Sequence, residues 1–179
     1  QDDSASACAQ LSACLTLAEQ WAGVSQEPAA VPCMEESVLS FLRSCEVLTS
    51  DWKQMLEQAA NAPEPENLLA YTPALDQEIR LFTMDMLYRY YLRAAYAETP
   101  EAEILPVQMA AFAVCVVLLC SRRLGFHTAE QRLRIWQLFV KEIEYDGDNL
   151  EELEWQLETN AAFSPAAFRA YFASLGGVQ

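Results

Sequence analysis

The stretch Asp76–Tyr96, DQEIRLFTMDMLYRYYLRAAY, constrains this chain most, because a helix drawn through it is apolar or aromatic on most sides. A helix apolar nearly all round is a buried one, so this stretch is expected to be the axis on which the other elements pack. A thin polar stripe interrupts it: Glu78, Asp85, Arg89 and Arg93 recur at offsets of seven, four and four, on one face of a helix. In a buried axis Asp85 and Arg89 form a carboxylate–guanidinium pair at low dielectric, where charges persist only when paired and hydrogen-bonded.

Around that axis, 179 residues are enough for one domain with a real core, burying roughly 70% of the unfolded surface. A hydrophobic content of 53% with only 5 Gly describes a packed helical protein and excludes a disordered chain. Eleven Lys and Arg against 26 Asp and Glu leave a net charge of -15, which repels phosphate backbones and anionic lipid and argues against nucleic acid as a partner.

Helix signals run the length of the chain. Ala7–Trp21 places Leu11, Cys14, Leu15, Ala18 and Trp21 on one side and ends at Gly23; Glu35–Leu48 and Asp51–Ala60 follow, the latter capped by Thr49 or Ser50. Asn61–Pro73 is a proline-rich connection with one short helical turn at Glu66–Ala70. Thr72-Pro73 starts the central helix, Thr99-Pro100 the next, and Pro106 is expected to bend or restart that one.

Ile104–Ser121 holds 18 uncharged residues, the lower limit for a membrane span, yet Pro106 and Gln108 interrupt it and its unbroken apolar run, Met109–Cys120, is 12 long. Those lengths favour a buried core helix over a membrane one. Thr128 with Gln131 forms a capping box for Ala129–Tyr145, whose apolar positions are Leu133, Trp136, Leu138, Phe139 and Ile143. Asp148 with Glu151 starts Asn149–Glu158, and Ser164-Pro165 starts a last helix ending at Gly176. No stretch alternates with period two, so the expected fold is all-α, a compact orthogonal bundle of about seven to nine helices.

The six cysteines, Cys8, Cys14, Cys33, Cys45, Cys115 and Cys120, form no CxxC and stand near no histidine at metal-ligand spacing. Aliphatic neighbours make them small buried hydrophobes of a reducing cytoplasm; three disulfides of a secreted protein are the alternative. The single histidine, His127, lies in a turn beside Arg122, Arg123, Arg132 and Arg134, which read as solvated charges or as an anion site. Asp146-Gly147-Asp148 lacks the order of a calcium loop and reads as a turn between helices. Glu142, Glu144, Asp146, Asp148, Glu151, Glu152, Glu154 and Glu158 form an acidic run, either a solvated face or a docking surface for a lysine-bearing partner. No GxGxxG, P-loop or HExxH occurs.

Four stretches, QDDSASACAQLSACLTLAEQ, FLRSCEVLTSDW, MDMLYRYYLRAAY and RIWQLFVKEIEYDGDNLEELE, occur in an order and spacing that resemble the C-terminal half of the flagellin lysine-N-methylases. Tyr88-Arg89-Tyr90-Tyr91 and Lys141-Glu142-Ile143-Glu144-Tyr145, followed by Asn149-Leu150, carry the resemblance most specifically. It implies a bacterial, cytoplasmic protein acting in S-adenosylmethionine-dependent methylation of lysines on flagellin or another lysine-bearing protein. An iron–sulfur or other metal centre is implied for the full-length family, held by an N-terminal CxxCxxCC-type cysteine cluster.

That cluster is not in this sequence, and the first residue is not Met, so the chain is expected to be the C-terminal part of a longer protein, not catalytic by itself. On the resemblance, Asp85, Tyr88, Arg89, Tyr91, Glu142 and Tyr145 line the surface facing the cysteine-rich region, where tyrosines and carboxylates position and deprotonate an amine. The rival expectation is a helical interaction or scaffold domain in which Asp85 and Arg89 only lock helix packing.

Overall fold

A computed structural model describes residues 5–23, 34–63, 69–96 and 100–175, the side chains of 92–95 and 100–103 excepted. Eight α-helices account for most of them: α1 (Ala7–Ala22), α2 (Met34–Ser44), α3 (Ser50–Asn61), α4 (Pro73–Ala95), α5 (Pro100–Leu124), α6 (Ala129–Phe139), α7 (Gly147–Thr159) and α8 (Pro165–Ser174). A π-turn, Val140–Glu144, follows α6, and a short 3-10 turn, Ala161–Phe163, precedes α8. No strand occurs among the described residues, and the fold is an all-α bundle.

Local chemistry explains most helix starts. Side-chain oxygens of Ser6, Thr49, Thr72 and Ser164 accept the N–H groups of Ala9, Trp52, Leu75 and Ala167, and Thr128 and Gln131 complete their capping box. Gly23 and Gly125 end α1 and α5 at φ of 67° and 65°, a left-handed conformation that side chains with a Cβ rarely adopt. At α7 the cap is Asp146, not Asp148: its Oδ1 accepts the Asn149 N–H at 2.9 Å.

The axis of the bundle is α5, not α4. Every residue from Met109 to Ser121 is buried, and α1, α3, α4, α6, α7 and α8 all pack on this helix. Burying each large aliphatic or aromatic side chain contributes about 1.5–3 kcal/mol, so an uncharged helix gains most by taking the centre. Phe112 meets Phe41 of α2 and Phe163 edge-on, with ring centroids 5.6 and 5.2 Å apart. Among the described residues Ile104–Leu124 is the one segment long and apolar enough to cross a membrane, and 89% of its most apolar window is buried inside the protein. Pro106 does not restart α5, which runs through it as one helix from Pro100 to Leu124.

Helix α4 packs only one face inward. Leu75, Ile79, Phe82, Met86 and Tyr90 enter the core, Phe82 stacking on Trp136 at 4.4 Å, while Leu81, Met84, Tyr88 and Tyr91 face solvent. Cys14, Trp21 and Leu133 also lie outside rather than in the core their spacing suggested. Helix α2 ends at Ser44, four residues earlier than expected, because side chains of the π-turn and α7 bind the backbone at 46–48 instead. Of the short helical turn expected at Glu66–Ala70, residues 66–68 fall outside the described residues and Leu69 and Ala70 are non-helical. Gly176, the expected end of α8, and Cys33 also fall outside them.

Candidate functional site

Asp85 and Arg89 do pair, at 2.9 Å, but at a half-exposed position: their side chains are 40% and 36% accessible. The expectation of a low-dielectric pair fails because α4 turns this stripe toward the protein's edge. The second partner of Arg89 is Glu144 of the π-turn, whose Oε2 accepts from Nη1 at 2.5 Å. Glu144 was not among the expected site residues, since an unbroken α6 would have given no reason to aim it at α4. Tyr88, Tyr91 and Tyr145 are exposed, Tyr88 at 81%, but Tyr91, two residues beyond Arg89 on the helix, points to the opposite flank of α4. The side chain of Arg93, the last member of the stripe, falls outside the described residues.

Glu142 does not belong to that surface. It is fully buried, and its carboxylate accepts the Leu48 N–H at 2.7 Å and the Thr49 hydroxyl. Asn149 completes the knot: its Oδ1 accepts the Glu46 N–H and its Nδ2 donates to the carbonyls of Glu46 and Glu142, each at 2.8 Å. The π-turn therefore sends consecutive side chains to different neighbours, Glu142 to the α2–α3 loop, Ile143 to the core and Glu144 to α4. The motif Lys141–Tyr145 is a structural junction.

An apolar groove lies between α1 and α4, which run side by side in the same direction. Asp76 accepts the Ala7 N–H at 2.6 Å at the start of α1, where the helix dipole favours a carboxylate. It also accepts from the Tyr71 hydroxyl and from Arg80 Nε, both at 2.7 Å, while Arg80 donates to Gln10 and to the Ala5 carbonyl. Burial pushes the Asp76 carboxyl upward, but the bonds from Ala7, Tyr71 and Arg80 win and hold it below its ordinary value.

Beyond this polar lock the helices part around a cleft of about 320 Å³ lined chiefly by Gln10, Leu11, Cys14, Thr83, Met84 and Leu87. Gln10, Cys14, Leu17 and Trp21 repeat at steps of four, three and four along α1, and Arg80, Met84, Leu87 and Tyr91 repeat at the same steps along α4. Leu17, Trp21, Met84 and Tyr91 are exposed, Trp21 at 77%. Thr83 is in the lining, and its Oγ1 is buried without a hydrogen-bond partner among the described residues.

The remaining candidates resolve into structural roles. Arg123 bonds Glu35 at 3.2 Å alongside Arg122, Arg132 grips Glu78 through two bonds at 2.6 and 2.8 Å, and Arg134 meets Asp51 at 2.5 Å. The four arginines near exposed His127 thus each answer a carboxylate and do not converge on an anion. Of the acidic run, Asp148, Glu151, Glu152 and Glu158 are exposed on α7 beside Trp155, whereas Glu142 and Glu144 turn inward.

Burial pushes the thiols of Cys8, Cys45 and Cys120 up to about 11, 12 and 12, so at neutral pH they stay protonated. Among the described residues no three His, Cys, Asp or Glu side chains converge on a metal position, and of the cysteines only Cys14 is exposed. These residues do not fit an iron–sulfur or other metal centre. No protein-family model, curated protein or solved structure matches the chain.

Proposed function

We propose that this chain is a helical protein-interaction domain that takes the apolar face of a partner's amphipathic helix in the groove between α1 and α4. The observation that carries the reading is the apolar cleft between α1 and α4, with Cys14 and Met84 in its lining and with exposed Leu17 and Trp21 on α1 and Tyr91 on α4 continuing its two sides at helical spacing. Both helices fill the core with their opposite faces, so the exposed side chains are surplus to folding. Ridges at helical spacing on two neighbouring helices match the anchors of a third at i, i+3, i+4 and i+7. The net charge of -15 favours a partner helix with basic flanks, through steering as much as through contact.

Titrating the chain with synthetic amphipathic helices carrying lysine flanks tests this by calorimetry. Saturable binding that Leu17→Glu or Met84→Glu abolishes supports the groove; binding indifferent to both substitutions, or none, removes it.

A second reading rests on the position of Tyr88 and Tyr91. They come from the segment that most resembles the flagellin lysine-N-methylases, and both are exposed on α4, the helix that also carries the Asp85 and Arg89 members of the cluster with Glu144. On that reading the groove's occupant is the cysteine-rich N-terminal region, which brings the metal centre, and the assembled protein methylates lysines from S-adenosylmethionine. Incubation with S-adenosylmethionine and a flagellin peptide, with and without the cysteine-rich region, tests it: methylation is expected only with that region present.

A further inference from the structure

Glu144 is the inner member of the Arg89 cluster, its side chain only 7% accessible. Oε2 accepts from Arg89, whereas Oε1 is buried and has no hydrogen-bond partner among the described residues. Buried carboxylates normally have their lone pairs answered, because an unanswered one forfeits its hydration with nothing in return. Among the described groups, the charges that act on it are both on α4: Arg89 in contact and Asp85 on the far side of the guanidinium. Its neighbours on the π-turn, Lys141 and Tyr145, point to solvent. Burial, chiefly, raises the Glu144 carboxyl above its ordinary value; Arg89 opposes this and Asp85 adds to it.

Resting on the docking reading above, we propose that Glu144 is a proton-operated latch on the docking helix. Ionised, it clamps Arg89 and fixes the outer turns of α4, with Tyr88 and Tyr91, against the π-turn. A proton taken up from solvent forms an O–H bond at Oε1, the oxygen that lacks a partner. Oε2 is then a neutral carbonyl acceptor, and Arg89, still charged, is left with Asp85 as its charged partner. The tie between α4 and the π-turn drops from an ion pair to a hydrogen bond in which only Arg89 is charged, and the exposed ridge of α4 loosens. Docking on that ridge is then strongest above the Glu144 midpoint and weaker below it.

Nuclear magnetic resonance of the full chain reads the latch without a partner. The Glu144 carboxyl carbon, the Arg89 guanidinium and the Tyr88 and Tyr91 rings are followed from about pH 4 to about pH 8, bracketing ordinary carboxylate titration. The expected result is a Glu144 midpoint above the ordinary glutamate value, shared by the Arg89, Tyr88 and Tyr91 signals. Glu144→Gln, close in shape, removes the shared step and leaves the tyrosine signals at their low-pH positions throughout. Asp85→Asn keeps the step and moves its midpoint down. Tyrosine signals that ignore the Glu144 midpoint, or a step that survives in Glu144→Gln, overturn the latch. Either failure leaves the groove titration standing, and a groove that binds no helix leaves the shared step intact, so the two ideas fail separately.

Discussion

Glu142 reaches across 94 residues of sequence to accept the backbone N–H of Leu48 at 2.7 Å. The same carboxylate holds the Thr49 hydroxyl, which in turn caps α3, so one buried side chain fixes both the end of α2 and the start of α3. Glu142→Ala orphans both donors and is expected to cost about 3 kcal/mol. Thr49→Val removes one donor and one cap, for about 1–2 kcal/mol. Urea denaturation of the two variants and their double mutant checks this, and the double mutant should cost less than the sum of the singles.

Glu144 is expected to behave oppositely, two residues away. Arg89 is held charged by its two carboxylates although its own burial works against it, whereas Glu144 loses more to burial than Arg89 returns. The carboxylate decides for the pair because it is the buried partner. Glu144→Gln should therefore change stability by less than about 1 kcal/mol at neutral pH, in either direction. Its carboxyl is raised in the folded state, so the native chain binds the proton more readily. Wild-type stability should then fall as pH rises from the ordinary carboxylate value through the folded one, and the variant should lack that slope.

Asp76 sets the opposite sign. Its carboxyl lies below the ordinary aspartate value in the folded state, so its contribution is complete above that ordinary value and is lost as pH falls through the folded midpoint. Asp76→Asn is expected to cost about 1–2 kcal/mol at neutral pH, from weakened bonds to Ala7, Tyr71 and Arg80. The gap between wild type and variant, measured by denaturation at several pH values, should close on acidification.

Leu17→Glu and Met84→Glu place charges on an exposed ridge and should shift stability by no more than about 0.5 kcal/mol. A large loss of stability in either would show that these side chains serve the fold, and the ridge would lose its claim to be a docking surface. Thermal unfolding of both variants supplies the check.

Helix starts were legible in the sequence because caps are local: Thr49, Thr72, Thr128 with Gln131, and Ser164-Pro165 act on N–H groups within three residues. The all-α class followed from the absence of period-two alternation. The axis was misplaced because residue type does not say what covers an apolar face; Leu81, Met84, Tyr88 and Tyr91 look like core and are not. Of the expected site residues, Asp85 and Arg89 share one face of α4, Tyr88 and Tyr91 are exposed on other faces of it, and Glu142 was claimed by a loop that no local pattern connects to it. Glu144 became visible only through the π-turn, whose extra residue per turn has no clear sequence signature. The groove was hidden because its two walls are about seventy residues apart along the chain, joined by Asp76 bonding Ala7.

The central claim is that the groove between α1 and α4 holds a partner's helix. Photo-crosslinking amino acids placed singly at Leu17, Met84 and Tyr91, with Glu158 on α7 as the control, test it in the cell of origin. The expected result is one shared crosslinked segment from the first three positions, amphipathic, basic at its flanks and joined through its apolar face, with none from the control. Crosslinks that appear equally at Glu158, or that from the groove positions reach unrelated segments, would contradict the claim.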